Sequence, residues 1–439
     1  MLSRKVFYSS KQIDYVIEKG FQFINDNPEI VKEIYKEISY NDEPKLYSYG
    51  IYFKDKYDNG DNEDAVAAGV SFNKKRALLK VLGETIERYS LGGNNDKKFI
   101  YKSFSELITL GKSALGLENL ILFSNKIFYI HGLDKKKFHW VEGKSLISNK
   151  KILVPAQLIY VPYLHQNSEP LLRFPISTGA SAGTSLDDAL YRGICEVVER
   201  DAFMIAYLNK IPSPQIDLFS MKDKEINSII NIFKRYKLEP IILDLTTDLK
   251  IPAFAAITLD RTGLGPAVSV GLKAGFDVKE TIIGAIEESL MVRSWTRDKF
   301  IYLEPNYKNV KEIISIEDRA HFWLSVSTIK HLDFWLKSKN LKKINMKNPK
   351  YSNNNLEKTI KLLKEKNMDV IYVDISDKNV KKYEFVVVKA IIPKLHPLYL
   401  DERYPYLGGE RLYNAPVSME ILQIPKKESQ LNKVPHPFL

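Results

Sequence analysis

The sequence predicts a mixed α/β fold on three observations. From Val66 onward, apolar strand-like segments alternate with long segments of helical periodicity, the pattern of an α/β or α+β core. A helix–strand–strand unit at residues 233–259 is echoed at residues 362–391, and a helix with two glutamates and an arginine also recurs. Either a structural duplication or one recurring local pattern would produce the first echo, in which Asp244 and Asp374 end matching strands.

The elements follow from periodicity, in chain order. Residues 10–39 have the pattern of a helical region, and the polar residues 55–64 are typical of a loop, so we expect an N-terminal helical or linker region at 1–64 before one domain at 65–439. Segments rich in Ile, Val, Leu and Tyr predict strands at 119–130, 152–162, 240–245, 252–259, 266–273, 369–375 and 384–392. Helices are predicted at 74–92, 185–209, 225–237, 278–299 and 354–366.

Composition indicates a globular protein of the cytosol. Of 439 residues, 44% are apolar and 27% are charged, the usual mixture for such proteins. We find neither the ~18 consecutive apolar residues that cross a bilayer nor a signal-peptide core, so we expect a cytoplasmic protein without a membrane partner. A single cysteine, Cys195, excludes an intramolecular disulfide and a cysteine-only metal cluster.

The net charge of +11 admits an acidic partner, but it also fits lysines scattered over solvated faces. The basic clusters at residues 135–137 and 342–350 are short and lack regularly interleaved aromatic residues. Because the sequence shows no zinc-finger or RNA-binding signature either, we expect no nucleic-acid partner.

Two segments share one arrangement of charged residues. ALLKVLGETIERYS and ALYRGICEVVERDA each carry Glu-x-x-Glu-Arg, beginning seven residues after an alanine. The residues are Glu84, Glu87 and Arg88 in the first segment, and Glu196, Glu199 and Arg200 in the second. Positions i, i+3 and i+4 share one helix face, so each helix presents two carboxylates and a guanidinium on one side.

These carboxylates favour a magnesium site that phosphates complete. Like charges three residues apart destabilise an isolated helix by roughly 0.2–0.5 kcal/mol, and a divalent cation between two such helices would reverse that cost. Carboxylate oxygens suit Mg²⁺, and the adjacent arginines can fork phosphate oxygens. The ordinary alternative is a solvated helix in which glutamate and arginine form i,i+4 ion pairs. A looser third copy, IGAIEESLMVRSW, contains Glu288 and Arg293.

A loop of small residues, STGASAGTS at 177–185, precedes the second glutamate helix. Its two glycines let backbone amides approach a ligand closely. Ser185 and Asp188 have capping-box spacing, which predicts a helix that begins there and directs its positive end at the loop. A nucleotide cradle and a simple helix-entry turn are both compatible with this pattern.

Together these segments resemble the YcaO family. The matching stretches are AAGVSFNKKRALLKVLGETIERYS, STGASAGTSLDDALYRGICEVVERDAF and GLKAGFDVKETIIGAIEESLMVR. A further stretch, IIPKLHPLYLDERYPYLGGERLYNAP, resembles the C-terminal part of azoline-forming members. The final VPHPFL is similar to their Pro-x-Pro-x-Pro tail, so the resemblance covers nearly everything after residue 65.

The resemblance implies ATP, with Mg²⁺ held between the glutamate helices. It assigns metal binding to Glu84, Glu87, Glu196 and Glu199, nucleotide contacts to Ser181, Thr184 and Asp188, and phosphate contacts to Arg88, Arg200 and Arg293. This chain departs from the family pattern at Asp188, where a glutamate is often found, at Thr184, where an asparagine can occur, and at Met291, where glutamine is expected.

The resemblance also implies that the tail lies in the active site, the alternative being a frayed terminus. Pro435 and Pro437 would stiffen it, and a carboxylate on Leu439, which replaces the usual final proline, would act as a base or orient a proton.

The implied activity is ATP-dependent cyclodehydration of Cys, Ser or Thr in a ribosomally made precursor peptide, through phosphorylation of the backbone amide oxygen. Residues 1–64 are too short for a leader-binding module, so we expect a separate partner that resembles ubiquitin-activating enzymes. A flavin dehydrogenase that oxidises the rings, and a homodimer, are left open.

Three other functions remain as alternatives. They are thioamide or amidine formation within the same family, a non-catalytic leader-binding scaffold, and a basic nucleic-acid binder. The proline-containing tail disfavours thioamide formation, the intact glutamate pairs disfavour a scaffold, and nucleic-acid binding rests on net charge alone.

Overall fold

A computed structural model describes residues 10–53, 65–93, 99–120, 132–165, 168–300, 309–344 and 354–439. The chain forms two compact units. Unit 1 comprises Met1–Ile38, Leu46–Val197 and Asn353–Lys394, and unit 2 comprises Ser39–Lys45, Val198–Ser352 and Leu395–Leu439.

The described residues form helices and strands throughout, which confirms the predicted mixed α/β class. The helices are α1 (Ser10–Asn25), α2 (Lys74–Leu91), α3 (Phe104–Thr109), α4 (Leu186–Leu208), α5 (Lys224–Arg235), α6 (Val278–Phe300), α7 (Ile316–Phe322), α8 (Asp333–Leu336), α9 (Asn355–Glu365), α10 (Lys378–Lys382) and α11 (Glu410–Ser418). The strands are β1 (Val31–Glu37), β2 (Tyr47–Phe53), β3 (Ala65–Ser71), β4 (Ile100–Ser103), β5 (Lys137–Ser145), β6 (Lys151–Pro155), β7 (Ala180–Gly183), β8 (Gln215–Asp217), β9 (Glu239–Asp244), β10 (Ala253–Leu259), β11 (Val268–Ala274), β12 (Leu341–Lys343), β13 (Ile371–Asp374) and β14 (Val386–Ile391).

Unit 1 contains two antiparallel sheets. The smaller has the order β1-β2-β3, and the larger has the order β4-β5-β13-β14-β7, with β6 also paired to β5. A buried core that includes Phe23, Trp140 and Tyr160 lies within this unit. The edge strands β3 and β7 directly precede the glutamate helices α2 and α4, so the sheets position both helix starts.

Unit 2 is built on one sheet with the order β11-β10-β9-β8-β12, antiparallel except for the parallel β8–β12 pair. Every residue of β10 is buried, because α6 packs against β10 and β11. The strand β11 lies at the sheet edge and leads into α6, the third and looser glutamate helix.

The echo seen in the sequence is a repeated structural unit. In unit 2, α5 leads into the antiparallel pair β9–β10, and in unit 1, α9 leads into the antiparallel pair β13–β14. The aspartates at the strand ends make equivalent bonds: Asp244 accepts from the Thr246 amide, and Asp374 from the Ser376 amide, at 2.9 Å each. A lysine side chain pairs with each of the two carboxylates.

Most predicted elements are confirmed to within a few residues, and two are wrong. The predicted helical region 10–39 is helical only through Asn25, because Val31–Glu37 pairs with β2 as a strand. The strand predicted at 152–162 ends at Pro155, where a single 3₁₀ turn at Ala156–Leu158 begins. The strand predicted at 119–130 and the loop predicted at 55–64 lie almost wholly outside the described residues.

Candidate functional site

Glu84 on α2 is bonded through both carboxylate oxygens. Oε2 accepts the Ala68 amide of β3 at 3.2 Å, while Oε1 pairs with Arg88 at 2.7 Å from Nη2. This is the i,i+4 ion pair expected of a solvated helix, the alternative to a metal site, and the Arg88 side chain is half-exposed. A carboxylate has about four acceptor positions, so Glu84 retains capacity for a cation.

A close approach of backbone to backbone allows this contact. A Cβ atom at Gly69 in β3 would lie 2.2 Å from the Ala77 oxygen and 2.4 Å from the Val81 nitrogen of α2. Glycine therefore sets the distance between the strand and the helix that carries Glu84 and Glu87.

The first glutamate of each motif caps a backbone amide at a sheet edge. Glu84 accepts from Ala68, Glu196 accepts from Gly179 at 3.1 Å, and Glu288 accepts from Leu272 at 2.6 Å. The amide precedes its glutamate by 16 or 17 residues in each case. This regularity was not predicted from the sequence, because a separation of 16 or 17 residues follows no helix or strand period.

In unit 1, Glu87 interacts with two other carboxylates of the glutamate motifs and with a buried lysine. Burial, followed by the charges of Glu196 and Glu84, raises the pKa of Glu87 well above its ordinary 4.5. Lys389 is 2% exposed, and its burial lowers its pKa to about 7 despite attraction to Glu196 and Glu87. Its Nζ donates to the Ile176 carbonyl at 2.5 Å. Lys389 was not predicted as a site residue; its signal in the sequence is a lone lysine within the apolar strand VVVKAI.

This donor set fits Mg²⁺ with a nucleotide. Among the described residues, no cluster of three or more His, Cys, Asp or Glu side chains is arranged to hold a metal ion by itself. Mg²⁺ typically takes only one or two protein carboxylates and completes its shell with water and phosphate oxygens. The charges of Glu196 and Glu84, which add to burial in raising the pKa of Glu87, are charges that a cation would offset.

The predicted nucleotide-contacting residues lie on both sides of the start of α4, and residues 180–183 of the predicted loop form the strand β7. Ser181 is buried in β7, opposite Val388 of β14, and Thr184 follows the strand. The predicted cap is confirmed, because Ser185 Oγ accepts the Asp188 amide at 3.2 Å. Asp188 is buried and pairs with Arg192 Nε at 2.8 Å, which gives it a structural partner. Nucleotide contacts by these residues stay a prediction.

In unit 2, Glu199 and Arg200 form an adjacent ion pair. Glu199 is buried, and its Oε2 accepts the Ala274 amide of β11 at 3.0 Å. Arg200 Nη1 bonds the other carboxylate oxygen of Glu199. The Arg200 guanidinium also lies over the Phe438 ring, 4.1 Å from its centroid. The planar group thus joins a predicted metal ligand to the tail.

Arg293 lies in a buried network in unit 2. Its Nε and Nη2 both donate to Glu43 at 2.8 Å, Nη2 also donates to Asp260, and Nη1 donates to the Pro266 carbonyl. These bonds account for Arg293 as a structural residue, and its predicted phosphate contact stays a prediction.

The tail is docked, in contrast to the frayed alternative. The Pro435 carbonyl accepts from Tyr207 Oη at 2.9 Å and from Trp323 Nε1 at 3.1 Å. Pro435, Pro437 and Phe438 are buried, and Leu439 is partly buried. The catalytic roles predicted for Pro435, Pro437 and Leu439 stay predictions.

His436 anchors the middle of the tail. Its Nε2 donates to the Tyr399 carbonyl at 2.7 Å, and its own carbonyl accepts from Arg319 Nη1 at 2.9 Å. Burial lowers the pKa of His436 well below 6.5, so the ring is neutral. Arg319 is fully buried and also bonds Glu402 at 2.8 Å, so one guanidinium connects the tail to the segment that contains Glu402. No sequence motif marks Arg319.

None of the helices in the described part of the chain combines the length and apolar character needed to cross a membrane. The predicted cytoplasmic location stays a prediction.

Comparisons of the sequence with known proteins find one family model and a relative of similar length. The sequence profile of a family described as YcaO cyclodehydratase, ATP- and Mg²⁺-binding, matches residues 68–396. An uncharacterized protein of Methanothermobacter thermautotrophicus is 23% identical over 362 residues, which is 80% of this chain and 86% of the relative.

Three solved structures share the fold at low identity. A heterocyclase in complex with substrate and cofactor has a TM-score of 0.80 at 21% identity, over 97% of this chain and 57% of that one. YcaO from Methanopyrus kandleri, bound with AMPPCP and Mg²⁺, has a TM-score of 0.62 at 16% identity over 86% of this chain and 91% of that one. The E. coli microcin synthetase McbBCD complex with pro-MccB17 bound has a TM-score of 0.58 at 16% identity over 83% of this chain and 88% of that one. The present chain spans little more than half of the first of these chains.

Proposed function

The chain belongs to the YcaO cyclodehydratase family of ATP- and Mg²⁺-binding proteins, and from this premise we propose that it closes azoline rings on a ribosomally made precursor peptide. The observation that carries the proposal is the docked Pro-His-Pro-Phe tail, whose Phe438 lies against Arg200 beside the buried Glu199. A tail fixed against an ion pair of the glutamate motif fits a role in the chemistry better than a frayed terminus does.

The proposed reaction removes one water from the peptide at the expense of ATP. The side-chain sulfur or oxygen of a Cys, Ser or Thr bonds the preceding amide carbon, and the amide oxygen takes the γ-phosphoryl group. Phosphate then leaves with that oxygen and a C=N bond forms. The thiol or hydroxyl proton is lost in the first step and the amide proton in the last, which yields the azoline, ADP and phosphate. Because phosphate is a better leaving group than hydroxide, the enzyme needs to supply position and charge rather than a covalent nucleophile.

The proposed roles of the chain's own residues follow from their charge and location. Glu84, Glu87, Glu196 and Glu199 would hold Mg²⁺, which neutralises phosphate charge when bound. Arg88 and Arg200 would bind phosphate oxygens in forked geometry.

Ser181 of β7 and Thr184, which follows that strand, would contact the nucleotide at the start of α4, where the helix dipole favours negative charge. Asp188 and Arg293 would act mainly by holding this framework, because protein partners already bond them.

A leader-binding partner protein is part of the proposal. The related microcin synthetase is itself a complex solved with pro-MccB17 bound, and the larger heterocyclase chain is solved with its substrate. A partner that positions the precursor would raise turnover by removing the entropy cost of orienting the peptide. Oxidation of the rings by a flavin enzyme would be a separate, later reaction.

Mass spectrometry of a candidate precursor peptide tests the proposal. Incubation with this protein, the leader-binding partner, ATP and Mg²⁺ should remove about 18 Da per ring, the mass of one water. Glu199→Gln, which keeps the shape of the side chain, should abolish this loss and ATP turnover while leaving the far-ultraviolet circular dichroism spectrum unchanged. A mass gain that requires added sulfide would show thioamide formation instead. An unmodified peptide together with leader binding but no ATP turnover would identify a scaffold.

A further inference from the structure

We propose that Phe438 is a positioning residue that acts through Arg200, so that docking of the tail sets the phosphate-binding geometry of the second glutamate motif. The inference deepens the proposed function and rests on it, because it takes Arg200 to be a residue that binds phosphate. It adds a specific physical link, the contact of one ring with one guanidinium, between two motifs far apart in the sequence.

The contact geometry restricts Arg200 on two sides. One edge of the guanidinium bonds the Glu199 carboxylate, and its face lies over the Phe438 ring, 4.1 Å from the centroid. The Arg200 side chain is only 11% exposed, so both contacts are largely shielded from water. Stacking on a ring occupies the face of a guanidinium, whereas its N–H donors lie in the guanidinium plane, the plane in which it bonds carboxylate or phosphate oxygens.

Phe438 is itself fixed by packing. The ring is 2% exposed and lies 5.7 Å from the ring of Phe203, which in turn contacts the His436 ring at 5.6 Å. The hydrogen bonds to Pro435 and His436 hold the backbone that precedes it. The aromatic ring therefore transmits the position of the docked tail to Arg200, and Arg200 transmits it to Glu199.

The test is a double-mutant cycle with Phe438→Leu and Arg200→Lys. Leucine keeps an apolar side chain but removes the aromatic face, and lysine keeps the charge but cannot stack as a plane. Two quantities are measured for each variant: the Kd for ATP with Mg²⁺ by calorimetry, and the ring-closure rate. Hydrogen exchange of residues 431–436, followed by mass spectrometry, reports whether the tail remains docked.

We expect Phe438→Leu to weaken ATP binding by about twofold to thirtyfold, the range of a cation–π contact from exposed to desolvated sites, while the tail amides stay protected. In the Arg200→Lys background the same change should have a much smaller effect. Phe438→Tyr, which retains the aromatic face, should restore most of the affinity. The matched control is Phe219→Leu, which removes an exposed ring under Lys234 in the same unit and should leave ATP binding unchanged.

Independent effects of Phe438→Leu and Arg200→Lys would overturn the proposal, since no link through the guanidinium would then exist. Loss of ATP affinity only together with loss of tail protection would also overturn it, because the effect would be undocking. If Arg200→Lys and Glu199→Gln both bind and turn over ATP as the native protein does, the proposed function itself fails at this site. The two failures are therefore distinguishable.

Discussion

The close approach of β3 to α2 predicts a large effect from one added methyl group. In Gly69→Ala, the new Cβ would lie 2.2 Å from the Ala77 oxygen and 2.4 Å from the Val81 nitrogen. Both neighbours are backbone atoms, so no side-chain rotation relieves the clash. Restoring ordinary contact distances of about 3.5 Å requires the helix to move by roughly 1 Å.

That displacement sets the expected magnitudes. Overpacking of this kind costs about 1–3 kcal/mol of stability. Because α2 carries Glu84 and Glu87, a shift of ~1 Å in the predicted metal ligands should lower the turnover rate by ~100-fold. The assays are denaturant unfolding followed by circular dichroism, and ATP turnover with partner and precursor present.

Gly83→Ala is the matched control, since its new Cβ would meet nothing within 4 Å on the same helix. Alanine in place of glycine within a helix should raise stability by about 0.5–1 kcal/mol. If Gly69→Ala unfolds at the same denaturant concentration as the native protein and keeps native turnover, the reasoning from backbone contact is refuted.

Three further outcomes are expected. Glu87→Gln should lose ATP turnover yet gain stability at neutral pH. The folded-state pKa of Glu87 is raised, so the native protein loses stability as the pH rises above about 4.5, and thermal unfolding of the variant should show a smaller loss over the same rise. Arg293→Leu should cost about 3–5 kcal/mol in denaturant unfolding, because it removes the guanidinium that pairs with buried Asp260 and leaves buried Glu43 with Arg297 alone. Arg88→Ala, at a half-exposed side chain, should cost under about 1 kcal/mol. Tyr207→Phe should weaken tail docking by about 0.5–1.5 kcal/mol, seen as faster hydrogen exchange around Pro435; unchanged exchange would show that this hydrogen bond does not hold the tail.

Most of the structure that could be predicted from the sequence follows from local patterns. The glutamate helices α2 and α4 were placed from periodicity and capping chemistry, which depend on residues within a few positions of each other. The strands β1 and β7 were not, because their stability comes from pairing with residues remote in the chain. β7 consists of four small residues, ASAG, that have no strand signal of their own.

The residues of the candidate site likewise fall into those that a local pattern identifies and those that only tertiary contacts bring in. Spacing within single helices identified the glutamates and their arginines as one group. Lys389 reaches Glu87 and Glu196 only because β14 pairs with β7, and Arg319 holds the tail only through contacts with Leu400, Glu402 and His436. Such residues belong to a site through tertiary contacts, and one sequence contains no local pattern that marks them.

The most direct test of ATP-dependent ring closure follows the amide oxygen itself. A precursor peptide is prepared with a heavy oxygen isotope in the amide carbonyl that precedes the reacting Cys, Ser or Thr, and is incubated with this protein, its partner, ATP and Mg²⁺. Phosphorylation of the amide oxygen predicts that each ring formed releases one inorganic phosphate that contains the heavy isotope. Ring formation in which the isotope appears in water, with unlabelled phosphate, would contradict the account.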